Sequence, residues 1–287
     1  MVVSDRSIFN EDIWGQANYY DLLAADAFGN YRDLIEAVSA SPIMGMYLSM
    51  PGNEKPDLER NIRPDENYTR ELMQLFTIGL VKLNSDGTRR LNSQGQAVET
   101  YNQAIIEAHA HVFTGWNFSG ATENAWYNWG RNYNSLEATR PVEAFHDKSN
   151  KQLLNGVFVP AGHSAEQDLE MALDSLFEHD NVAPFISAHL IKHLLTSNPS
   201  SAYIERVSAV FNNNRKGERG DLKAVIKAIL LDEEARDTGS LLSYGEHSTV
   251  LQSMTELNLV SPIISLIKHR CLHHQCLTSS CPTAVVR

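Results

Sequence analysis

The chain has 287 residues, 43% hydrophobic and 21% charged, with a formal net charge of −11. That is enough for a large core in one domain or two, and the acidic balance argues against non-specific nucleic-acid binding or an anionic membrane surface. No apolar run reaches transmembrane length, and residues 1–12 carry no basic and apolar leader pattern.

Residues 1–30 hold Trp14, Tyr19, Tyr20, Leu22 and Leu23, enough for a short helix but without a convincing start cap. Residues 31–39 predict a helix with Leu34, Ile35 and Val38 on one face, ended by Ser41-Pro42. A short apolar segment over 43–50 follows. Its three methionines read as fillers of core gaps rather than metal ligands.

The stretch 63–79 organises the rest. It predicts one helix, with Pro64 in the first turn, Asp65 and Glu66 at the positive end, and Gly79 as a left-handed stop. Tyr68, Leu72, Leu75 and Phe76 make an apolar face. Glu71 falls inside that arc, between Leu75 and Ile78, so it is expected to be buried and paired. The basic partner is expected from the segment 146–151. Glu66 and Arg70 lie on the opposite side and can pair at i, i+4.

Asp86-Gly87 between alternating residues is a hairpin signal, and residues 93–96 repeat the turn chemistry. A calcium loop is the competing reading of Asn84, Asp86 and Gly87, but it lacks the further acids and closing glutamate such loops use. Asn102 caps a helix to about Thr114, with Ile105, Ala108, Val112 and Phe113 facing the core. His109 projects into that face as a hydrogen-bonded neutral imidazole, and His111 points away. Residues 117–145 are a long aromatic loop suited to a planar or sugar-like ligand, or else a lid packed on the domain. His146 is the best-placed titratable group for acid–base work, and its neighbour Asp147 need not form a dyad with it.

Ser164 and Gln167 form a capping box before a helix to Phe177. Pro184 lies in the first turn of a helix to about Leu195, Ser200 or Ser201 caps one to Phe211, and Asp221 caps one over 222–231. Residues 246–257 predict a last helix. The expected fold is mainly α: a multi-helix globular domain with one short β-hairpin near residues 80–99.

Six ordered blocks, RPDENYTRELMQLFTIGL, LNSDGTRRL, VFTGWNF, FHDKSNKQLLNG, NVAPFI and GDLKAVIKAILLD, together resemble the family catalogued as domain of unknown function 1800. The resemblance covers residues 30–260 or so. It implies a mostly helical bacterial protein, periplasmic or extracellular, often encoded beside a second secreted protein, with no established reaction. It also implies a signature of Glu66, Asn67, Arg70, Glu71, Trp116, His146, Asp147 and Lys151. His109 and His111 depart from the family's pattern, so neither is expected to carry a family-wide function. Members are usually longer, so the chain is expected to be a fragment: 1–30 a partial N-terminal segment, 31–260 the family-like domain, 261–287 an atypical and dispensable tail. That tail holds Cys271, Cys276 and Cys281. A zinc site from these with His273 fits no standard spacing, and a truncated or frame-shifted end is the preferred reading.

Three functions compete. The first is a structural or binding component acting with a partner protein or an extracellular polysaccharide. Asn67, Arg70, Trp116, Trp126, Trp129 and Lys151 would be its binding residues. The second is a hydrolase, metal-dependent in one version, using Glu66, Glu71, His146 and Asp147. No HExxH, GxSxG or phosphate loop supports it, no metal ligands are assigned, and the cofactor stays unknown. The third is a scaffold whose polar residues are all structural.

Overall fold

Local chemistry starts most helices in the computed structural model, which describes residues 1, 3 and 12–236. The expected helix over 246–257, the tail and its cysteines lie outside those residues. Helix α1 (Ile13–Ala25) begins at Asp12, whose carboxylate accepts from Gly15 N at 2.8 Å. The sequence reading missed this cap because α1 has no segregated apolar face: Trp14 is exposed while Tyr19 is buried. Asn30 caps α2 (Tyr31–Ala40), which buries Tyr31, Ile35 and Val38. Helix α3 (Pro42–Tyr47) follows, and Met44 and Met50 fill the core beside it.

The central stretch differs from one regular helix. Residues 63–66 lie outside the helix, so Pro64 precedes it instead of opening it. Helix α4 (Asn67–Glu71) then widens into a π-helical segment, Leu72–Thr77. The Thr77 hydroxyl donates to Leu72 O at 2.8 Å, five residues back, which supports the wider turn. The wider turn rotates the face. Met73 and Thr77 go inward, and Leu75 is left 50% exposed. Gly79 does end the segment, at φ 67, with its N–H on Met73 O.

Residues 80–99 turn back twice. Asn84 N donates to Thr88 O and Asn92 N to Gln96 O, both at 2.8 Å, with Gly87 and Gly95 at positive φ. The three arms close on one another through Lys82 N to Val98 O, Arg90 N to Lys82 O and Val98 N to Arg90 O. The expected hairpin is therefore two hairpins in a ring. Buried Asn181 fixes its base: its amide donates to Ile78 O and Val81 O, and its oxygen accepts from Leu83 N.

Asn102 caps α5 (Gln103–Val112) as expected, through Ile105 N. Strand β1 (Trp116–Asn117) pairs antiparallel with β2 (Arg140–Pro141), closing off the aromatic loop and its one-turn α6 (Trp129–Asn132). Strand β3 (Lys151–Gln152) pairs with β4 (Phe158–Val159). Then come α7 (Ala165–Phe177) behind its full capping box, α8 (Val182–Leu194), α9 (Ser201–Asn212) capped by Ser200, α10 (Leu222–Leu231) capped by Asp221, and α11 (Glu233–Arg236). Helix α7 packs on α2, α5 and the π segment, while α8, α9 and α10 pack in succession. The fold is mainly α with short hairpins. No helix among the described residues is long and apolar enough to cross a membrane.

Candidate functional site

The turn over 146–149 and strand β3 bring two basic side chains onto the first turns of α7. There Asp168 is fully buried. Its Oδ2 accepts from Lys151 Nζ at 2.6 Å and lies 3.1 Å from His146 Nε2. Lys151 spends its other donors on Asp147 O, at 2.6 Å, and Ser149 O, at 2.9 Å. His146 Nδ1 lies 2.9 Å from Thr114 O. Both ring nitrogens thus face oxygen atoms. Burial works to raise the Asp168 carboxyl, but the bonds from His146 and Lys151 outweigh it and hold the group below the usual carboxylate range.

A second pair lies above this centre. Asp147 Oδ2 meets His111 Nδ1, while Ser149 donates its N–H to Oδ1 at 2.8 Å and its hydroxyl to Oδ2 at 3.0 Å. Burial again pushes Asp147 up, and the His111 and Ser149 bonds pull it well below its ordinary range. Thr114 joins the two levels. Its hydroxyl donates to His111 O at 2.7 Å and accepts from Asp147 N at 2.9 Å. Gly115, at φ 82, lets the chain pass: a Cβ there would sit 2.8 Å from His146 N. His111, with 28% of its side chain exposed, lines a cleft of about 270 Å³ with Arg63, Glu66 and Glu107. Its Nε2 makes no hydrogen bond among the described residues.

The remaining expected site residues are dispersed. Glu66 reaches the cleft, but its carboxylate is held by Arg70 at 2.7 Å and Gln103 at 2.9 Å. Asn67 donates to Leu48 O at 3.1 Å. Trp116 is buried against the core. Trp126 is buried too, stacked on Phe145 at 4.1 Å, and donates to Glu54 Oε1 at 3.2 Å. Trp129 is 49% exposed, with its ring edge against Phe118.

Two expectations need correction. Glu71 is only half-buried, and no hydrogen bond or ion pair reaches it among the described residues. The π segment that follows turns its arc away from the core, and the basic residues at 146 and 151 take Asp168 instead. His111 does not point away but holds Asp147. The sequence reading missed Asp168, though a signal existed: it shares the buried arc of α7 with Ala172 and Leu176. Nothing local marks His111 and Asp147, 36 positions apart, as partners. Among the described residues no group of three or more His, Cys, Asp or Glu side chains is placed to hold a metal ion.

The fold and this centre define a mainly helical protein built on a buried carboxylate clamped between two basic groups. Neither the curated proteins nor the solved structures contain a match to the chain. The profile of the family described as "Protein of unknown function (DUF1800)" matches residues 1–248, and the chain belongs to that family.

Proposed function

We propose that the protein is an extracytoplasmic binding component that holds an extracellular polymer through the aromatic segment between β1 and β2. One observation carries this reading. Trp126 is anchored inward by Phe145 and Glu54, while Tyr127 and Trp129, which follow it, are 62% and 49% exposed. Arg60 donates to the Tyr127 hydroxyl at 2.7 Å and pairs with Glu54 at 2.9 Å, so the exposed ring is held in place. Fixed aromatic faces bind flat or sugar surfaces at low entropic cost. In this reading the signature residues Glu66, Asn67, Arg70, His146 and Lys151 serve the fold rather than react. Affinity electrophoresis in polysaccharide gels tests the reading: retardation by at least one polymer, lost in Trp129→Ala, is expected. Equal retardation of both proteins, or none in any gel, sinks it. The location rests on the family resemblance, and fractionation of cells expressing the tagged full-length gene tests it.

A hydrolase is the second reading, and the His111–Asp147 pair favours it. A carboxylate that orients one imidazole nitrogen, with the other nitrogen open on a cleft, suits a general base for water. A panel of ester and glycoside substrates tests this, with loss of turnover in His111→Gln as the supporting result and equal turnover as the refuting one.

A further inference from the structure

A groove of about 900 Å³ runs between α9 and α10 on the exposed side of the helical layer. Its floor is aliphatic, with Val207, Val210, Ala224, Ala228 and Leu231, and no aromatic ring among the described residues lines it. Its rim is cationic. Lys223 and Lys227 stand one turn apart on α10, and Arg215 and Lys216 follow α9; all four are exposed. Among the described residues none of the four makes an ion pair within 4 Å. The groove's acids are committed to the fold. Asp232 clamps Arg206 at 2.7 and 2.8 Å, and Asp221 accepts from Ala224 N and from Asn214. The lining asparagines are spent as well: Asn213 accepts from Arg215 N, and Asn214 holds Lys216 N. A chain of net charge −11 thus carries a concave surface lined, among the described residues, by five basic side chains against two acidic ones.

We infer that this groove receives an amphipathic, acidic-flanked helix of a partner protein. The floor fits the apolar stripe of such a helix, and the rim fits carboxylates one turn to either side of that stripe. Charge complementarity of this kind steers encounter and rejects basic partners. The groove lies outside the aromatic segment, so the inference does not rest on polymer binding.

The test uses the full chain and two labelled helical peptides of about 18 residues. Both carry the same leucine stripe, one flanked by glutamates and the other by lysines. Fluorescence anisotropy should show saturable binding of the glutamate peptide only. Binding should weaken about tenfold or more in Lys223→Glu/Lys227→Glu, and also between about 50 and 500 mM salt. Circular dichroism confirms that the variant is folded, and intact retardation of the variant in polysaccharide gels separates this surface from the aromatic one. The proposal is overturned if both peptides bind alike or if the variant binds the glutamate peptide as tightly. It is also overturned if a serine-striped glutamate peptide or polygalacturonate binds as well as the leucine-striped one, since the groove would then read charge alone.

Discussion

Replacing His109 by leucine should make the protein less sensitive to mild acid. His109 is fully buried on α5, and its Nδ1 lies 2.9 Å from Ile105 O. Nδ1 therefore carries the hydrogen, and Nε2 is left as a buried acceptor without a partner among the described residues. Burial pushes the imidazole down from 6.5 to about 4, against a smaller opposing effect of the Ile105 bond. The sign follows: the unfolded chain takes up this proton near pH 6.5 and the folded chain does not until about pH 4. The contribution is present above about pH 6.5 and is lost as pH falls through the folded value. A gap of about 2.5 units corresponds to about 3 kcal/mol in all, of which about 2 kcal/mol is lost between pH 7 and pH 5. His179 and His189 are also held low by burial, but they stay in both proteins and cancel in the comparison. Urea unfolding at the two pH values should give a loss about 2 kcal/mol smaller in His109→Leu than in the parent. At pH 7 the variant should match or exceed the parent, because the unpaired nitrogen is gone. Equal pH dependence in the two proteins would refute the reasoning.

Asp168→Asn strands Lys151 beside a neutral amide and should cost about 3–5 kcal/mol by urea titration at pH 7. Asp168 sits below its ordinary range, so its share of stability is present above about pH 4 and lost as pH falls further. The variant's acid unfolding below that point should accordingly be shallower. Glu71→Gln should cost under about 1 kcal/mol in the same assay, because no hydrogen bond or ion pair reaches that carboxylate among the described residues. Gly115→Ala, at φ 82 and against His146 N, should lower stability by about 2 kcal/mol or more, read as a drop in thermal midpoint.

Helix starts were legible at four local caps, though not at Asp12 of α1. Asn102, the Ser164 and Gln167 box, Ser200 and Asp221 all cap as their sequences indicate. The central helix was misread because a wheel of fixed pitch cannot anticipate a π turn. Its support, the Thr77 hydroxyl on Leu72 O, is a contact five residues long. That one change moved Leu75 outward and removed the reason for burying Glu71. The polar centre was half legible. Two basic groups near residue 150 needed a buried acid, and two helices each offered an acid on an apolar arc. Sequence alone gave no way to choose Asp168 over Glu71, since the choice depends on how α7 packs against β3.

Thr114 has a consequence beyond its hydrogen bonds. Its hydroxyl serves the partly exposed His111 and Asp147, and its carbonyl serves the fully enclosed His146. Opening of the backbone at His111 or Asp147 therefore disturbs the residue that also holds the inner ring. The amides of residues 111–115 and 146–151 should exchange with deuterium as one cooperative unit, and Thr114→Val should split that unit in two.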